Sequence, residues 1–372
     1  MPVGHGNHTK YLFLLQVRCG SFSPVTPHRM TLQSPPKKRL WIWFLWMGLF
    51  YSVWLWLVVG QGLWSLAREH WPMAVAMTAG SYAAGSTPMG GGTVGFPILV
   101  LLFDQPAELG RDFSFAVQSI GMVSASIFIL ARRQPLAWAM LKGSLVGATF
   151  GVPLGIFLVA PLVPALWIKL VFAVLWGSFG LLHLWRIGEI SSHEGMTDFD
   201  ERWDTRVGLV IGLVAGAAFV SVSGVGIDMV LYTVLVLVCR ADLKIAIPSS
   251  VIIMAYSSVI GIATKMAFTG VQPGVLGNWL AAAPIVALGA PLGVFVVALI
   301  GRKPTLLVVA LLCVGQLVWT LVREAQALGA TGIVLTLIAV ALCLFGFEKL
   351  RAWGAILVGE IKRRHAERVP AS

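Results

Sequence analysis

The chain has 372 residues, of which 58% are hydrophobic and only 12% are charged, and its formal net charge is +11. Soluble domains carry about 25% charged residues, so this composition excludes an ordinary soluble globular protein. Nearly half of the 27 Lys and Arg residues lie in the two tails, which indicates anionic lipid as a partner and disfavours nucleic acid. We therefore expect an all-α polytopic membrane protein.

The predicted elements begin, in chain order, with a basic extension at 1–39 that is rich in Pro and Ser and that we expect to be disordered. Translation could start at Met1 or at Met30, and the sequence leaves both open. Apolar runs near the ~20 residues that cross a bilayer predict about eight to ten membrane segments. The later regions are a first transmembrane helix and loop at 40–71, membrane repeat 1 at 72–187, a polar loop at 188–206, membrane repeat 2 at 207–322, a last transmembrane helix at 323–347 and a basic tail at 348–372.

The two halves share short stretches in the same order. "GGG" at 90–92 corresponds to "GVG" at 224–226, and "GVPLGIFLV" at 151–159 corresponds to "GAPLGVFVV" at 289–297. "AEL" and "ADL", and then "AVQS" and "AIPS", repeat at similar offsets. These matches predict an internal duplication, which is a common construction of secondary transporters.

Each predicted repeat opens with an interrupted apolar segment, at 72–103 and at 207–238. Either segment could cross the membrane with a break or return as a re-entrant hairpin, since both exceed the ~20 residues of one crossing. If every segment crosses, six loop cations lie inside and nine lie outside, which violates the positive-inside rule. If both are re-entrant, ten lie inside and five outside, so we favour two inverted repeats. The five outer cations are then Arg68, Arg111, Lys169, Lys265 and Arg323.

The first interrupted segment contains "GSYAAGSTPMGGGTVGFP" at 80–97, and the second contains "SVSGVGIDM" at 221–229. Irregular backbone at membrane depth is tolerated only when protein buries it or when it lines a cavity. A half-helix that starts at such a break points its amides and its positive dipole end at an anion. The alternative is close helix packing through glycine. The substrate-binding residues predicted at the two breaks are Gly90, Gly91, Gly92, Thr93, Ser221, Ser223, Gly224 and Gly226.

Polar side chains within the apolar helices supply the other candidates. Hydroxyl and amide groups donate to anion oxygens without the cost of a buried charge, although they also bond between helices. Asp228 is a carboxylate inside an apolar segment, which predicts a proton-coupling residue, with a structural ion pair as the alternative. The candidates for substrate contact on the paired helices are Gln118, Ser119, Ser249 and Ser250.

The motif "GGGTVGFP", the duplication and the helices that carry "AVQSIG" and "AIPSSV" resemble the sulfite exporter TauE/SafE family, also called the toluene-sulfonate uptake permease family. The resemblance covers about 74–322. It implies secondary transport of sulfur-containing anions such as sulfite or organosulfonates across bacterial membranes. The second half departs from the family pattern, because Val225 replaces a glycine, Leu231 replaces a proline and Asp228 lies where the first half has Val94.

Other classes of function find less support. We find no acidic metal cluster, no H-E-x-x-H and no Ser–His pair in the apolar segments, so we expect no enzyme, no metal and no cofactor. A channel or carrier for another small anion stays open, as does a membrane scaffold. The predicted location is the bacterial inner membrane, with many passes, and a homo-oligomer stays open.

Overall fold

The computed structural model describes residues 39–197 and 199–368, and its regular structure is entirely helical over these residues. All but Arg39 of the predicted extension 1–39 lies outside the described residues. The helices are α1 (Trp41–Gly60), α2 (Trp64–Glu69), α3 (Trp71–Ser86), α4 (Gly92–Leu102), α5 (Ala107–Ala131), α6 (Trp138–Leu162), α7 (Ala165–Ile190), α8 (Glu201–Ser223), α9 (Ile227–Val238), α10 (Leu243–Thr269), α11 (Val275–Ile300), α12 (Arg302–Arg323) and α13 (Ala325–Arg368).

Within the described part of the chain, nine helices are long and apolar enough to cross a membrane, and α4 and α9 are shorter apolar helices. The protein is therefore a multi-pass membrane protein. The polar connection is shorter than 188–206, because α7 extends to Ile190 and α8 starts at Glu201. α13 turns at Gly329, where φ is +59°, and its helical backbone runs beyond 347 into the predicted tail.

The chain reverses direction at each of the two breaks. A Cβ added to Gly80 of α3 would lie 3.0 Å from Cβ of Val94 in α4, a contact that requires the two helices to fold back on each other. In the second half, Thr197 N donates to Cys239 O at 3.0 Å, which joins the chain before α8 to the chain after α9. We call the α3–α4 pair the first hairpin and the α8–α9 pair the second hairpin.

Ion pairs identify which loops share an end of the helical bundle. Lys169 pairs with Glu324, next to Arg323, at 2.6 Å, and Arg240 pairs with Glu189 at 3.6 Å. An arrangement in which every segment crosses would separate both pairs by the full membrane, so the structure rules it out. The re-entrant arrangement keeps the members of both pairs together. Which end faces the cytoplasm stays a prediction.

The first arm of each hairpin packs closely on a helix of the other half. α8 lies against α6, where a Cβ at any of four glycines would collide with carbonyl groups of α8. α3 lies against α11 in the same way, since a Cβ at Gly85 or at Gly293 would collide with a carbonyl group of the facing helix. Small residues at such spacing let membrane helices approach closely. An inverted duplication would explain why the first helix of each hairpin packs on the other half. The duplication itself stays a prediction. The four glycines of α6 are Gly143, Gly147, Gly151 and Gly155.

Candidate functional site

The two glycine breaks contact each other in the interior of the bundle. A Cβ added to Gly92 would lie 2.6 Å from Cγ1 of Val225, so the first break fits against the side chain that replaces a glycine in the second. Gln118 of α5 contacts both breaks, because its Nε2 donates to Gly224 O at 3.2 Å and would lie 2.7 Å from a Cβ added to Gly92. Gly224 itself has φ of +80°, in the left-handed region that favours glycine.

Gly90 occupies the most restricted position of the first break. Its φ is +66°, and an added Cβ would lie 2.6 Å from Gln118 Oε1, 2.9 Å from Met254 Cε and 3.3 Å from Asp228 Oδ2. The left-handed conformation and the short distances both exclude a side chain here. Gly90 therefore lets the backbone of the first break approach the carboxylate of the second hairpin.

Two buried oxygens that face Gly90 lack a hydrogen-bond donor. Gln118 Oε1 and Asp228 Oδ2 have no partner within the described chain, and both residues are 1% exposed. The other carboxylate oxygen, Oδ1, accepts from Gly226 N at 3.1 Å. A buried polar atom left unpaired costs about 1–3 kcal/mol. A hydrogen-bond donor would complete the site, whether a water molecule, a proton on Asp228 or a group on a ligand.

Backbone amides at the start of α4 supply hydrogen-bond donors at the first break. α4 starts at Gly92, and the backbone amides of Gly90, Gly91 and Gly92 lie at the end of the break, where this helix opens. The first amides of a helix are unpaired within the helix and carry partial positive charge. The hydroxyl of Thr93 is already engaged, since it donates to Met89 O and accepts from Trp176 Nε1. The breaks thus place amide donors beside unpaired acceptors.

The space beside the first break is small. A cavity of about 10 Å³ lies beside Gly91 and is lined in part by Met77, Ser81 and Ala290. This volume holds about one water molecule. Gly91 is the least crowded of the three glycines, because an added Cβ would lie 3.4 Å from Met77 Cε and no closer to any other atom.

The two serines predicted beside the second break have different surroundings. Ser223 donates to Phe219 O at 3.0 Å and to Val225 O at 3.1 Å, which ties the break to the end of α8. Ser221 donates to Ala217 O and faces α6, where an added Cβ at Gly155 would lie 2.6 Å from Ser221 Cβ. Ser223 therefore supports the break, and Ser221 belongs to the helix interface.

The serines predicted on the paired helices bond to carbonyl groups of their own helices. Ser119 donates to Ala116 O at 2.8 Å, and Ser250 donates to Ile247 O at 2.8 Å. Ser249 also accepts from Ala137 N at 3.0 Å, so it holds the start of α6. Of the four candidates on these helices, the described contacts bring Gln118 to the breaks.

Sequence reasoning missed Ser114, which lies on the face of α5 that carries Gln118. Ser114 lies one turn before Gln118, and its Cβ would be 2.8 Å from a Cβ added to Gly92 or to Gly224. A heptad-like spacing from Arg111 through Ser114 to Gln118 could have indicated this face. Asp112, fully buried next to Arg111, was also missed as a partner of Lys265.

Comparison with known proteins adds one finding. A family model described as "Sulfite exporter TauE/SafE" matches residues 72–318, a range that contains both hairpins except Trp71 and every residue of the site. No curated protein and no solved structure matches the chain.

Proposed function

The chain belongs to the sulfite exporter TauE/SafE family, and we propose that it is a proton-coupled secondary transporter of a small sulfur-containing anion such as sulfite or an organosulfonate. One observation carries this proposal: the backbone amides that open α4, at Gly90 to Gly92, and two unpaired oxygens, on Gln118 and Asp228, lie where the two breaks touch. We place the transporter in the bacterial inner membrane, in contact with lipid. Gln118, Gly224 and Gly226 complete the proposed binding residues.

The proposed anion contact is made by the backbone. The amides of Gly90, Gly91 and Gly92 offer donors at the start of α4, and the helix dipole adds a favourable potential. Backbone donors select an anion by the positions of its oxygens and by size, without a fixed buried cation. Such a contact suits an anion that must bind and leave again.

The proposed role of Asp228 is to carry the proton. When protonated, the carboxyl group can donate to the unpaired Oε1 of Gln118, and it carries no charge that would repel the anion. When the carboxyl group is ionised, its unpaired oxygen faces Gly90 as an acceptor, and its negative charge would repel a bound anion. The anion and the proton therefore bind together, which couples their movement.

The proposed transport cycle moves the hairpins against each other. Val225 Cγ1 would be 2.6 Å from a Cβ at Gly92, so the breaks separate before an anion can reach the amides. Each hairpin's first arm packs on a helix of the other half, which lets one half rock against the other. Rocking about a central site is the usual form of alternating access.

The test is uptake of radiolabelled sulfite, methanesulfonate and other small sulfonates into proteoliposomes, with and without an imposed pH gradient. Acetate and succinate serve as control anions of a different class. We expect uptake of at least one sulfur anion, accelerated by a gradient that drives protons in the same direction. An uptake rate that is the same with and without the pH gradient would contradict proton coupling. Uptake of acetate or succinate alone would contradict the substrate class.

A further inference from the structure

A buried group of three charges lies where α5 starts and α10 ends. Arg111 Nε is 2.9 Å from Asp112 Oδ1, and Lys265 Nζ is 3.3 Å from Asp112 Oδ2. The same Oδ2 accepts from Gln272 N at 3.1 Å. The side chains of Arg111, Asp112 and Lys265 are 8%, 0% and 7% exposed. We call these three residues the charged triad.

The charged triad has one positive charge in excess. Both oxygens of Asp112 are occupied, whereas each cation uses one N–H group in the described contacts. An Arg side chain has five N–H donors and a Lys side chain has three, so most of the donors are free. A purely structural pair needs one cation for one carboxylate, since an uncompensated buried charge is costly. The excess positive charge therefore gives the triad the capacity to hold a second anion.

Part of the charged triad lies close to the second break. Arg111, Ser114 and Gln118 share one face of α5, and a Cβ at Gly224 would lie 2.7 Å from Arg111 O. At 1.5 Å of rise per residue, Arg111 is about 10 Å from Gln118 along the helix. An anion held at the triad would therefore be about two helical turns from the unpaired oxygens of the breaks.

We propose that Arg111 and Lys265 form a second anion site, at which the substrate is held before it reaches the breaks. The guanidinium group binds two oxygens of a small oxyanion at once, and the ammonium group binds a third. Asp112 is the internal competitor that limits the affinity and so allows release. The identity of the anion as the transported one rests on the proposed function, whereas the existence of the site does not.

The experiment measures binding of sulfite and of sulfate to the full chain in lipid nanodiscs, by thermal stabilisation and by radiolabelled sulfite. The variants are Lys265→Gln, Arg111→Gln and Asp112→Asn. The matched control is Lys169→Gln, which also removes one partly buried cation, paired with Glu324 at 2.6 Å. We expect about tenfold or greater weakening for Lys265→Gln and for Arg111→Gln, and unchanged binding for the control.

The Asp112→Asn variant should bind the anion more tightly, because it removes the internal competitor while both cations stay. This opposite change keeps the proposal testable if Lys265→Gln fails to fold. Equal binding by Lys265→Gln and the control, or weaker binding by Asp112→Asn, would overturn the second site. The expected binding pattern without any flux would instead leave the second site standing and refute the proposed function.

Discussion

Substitution of Gly92 by Ala tests whether the two breaks must touch. The added Cβ would lie 2.6 Å from Val225 Cγ1, 2.7 Å from Gln118 Nε2 and 2.8 Å from Ser114 Cβ. Carbon atoms pack best at about 3.5–4.0 Å, so three neighbours must each move by about 1 Å. Overpacking of this kind costs about 1–3 kcal/mol, and loss of the Gln118–Gly224 hydrogen bond adds about 1 kcal/mol.

We therefore expect Gly92→Ala to lower the unfolding free energy by about 2–4 kcal/mol and to abolish anion flux. The assays are thermal unfolding in detergent and uptake into proteoliposomes. Gly91→Ala is the matched control for stability, because its Cβ meets nothing closer than 3.4 Å and should change the unfolding free energy little. Val225→Ala in the Gly92→Ala background should restore part of the stability. Normal flux in Gly92→Ala, or an equal loss of stability in Gly91→Ala, would refute the reasoning.

Three further predictions concern other parts of the chain. Thr93→Val leaves the buried Trp176 Nε1 without its acceptor and should lower stability by about 1–3 kcal/mol in thermal unfolding, whereas Thr93→Ser should not. Burial and the charge of Arg240 lower the pKa of His193, so the folded state disfavours its protonation. Neutral His193 therefore stabilises the folded state fully above the usual histidine pKa of about 6.5, and this stabilisation is lost as the pH falls below that value. The His193→Gln variant should flatten this acid-side fall in Tm. A reporter fused at Gln105 should signal the outer side, and a cytoplasmic signal would contradict the predicted orientation.

The sequence predicted the parts of the site that residue type alone reveals. Glycine clusters inside apolar segments indicate broken helices, and a lone carboxylate such as Asp228 indicates a buried polar site. Loop charges favoured two re-entrant hairpins, and the ion pairs of the structure agree with that arrangement. The departure at Val225 also has a structural reason, since its side chain fills the space that Gly92 leaves free.

Contacts between helices that are distant in the chain could not be predicted from the sequence. Asp112 and Lys265 belong to different halves of the chain, and nothing in either segment specifies how the end of α10 aligns with the start of α5. The serines show the same limit in a different way. A helical hydroxyl that bonds its own carbonyl, as in Ser250, has the same sequence signature as one that faces a ligand.

The most direct test of proton coupling compares the wild type with Asp228→Asn and with Asp104→Asn, an exposed-loop control, in proteoliposomes that report sulfite and pH together. The Asn amide can donate to Gln118 Oε1 as a protonated carboxyl group would, so the variant should fold and should exchange sulfite for sulfite. We predict that it loses acceleration by a pH gradient and moves no protons, while the control behaves as the wild type. Gradient-driven uptake that persists in Asp228→Asn would contradict the assignment of the proton to this carboxylate.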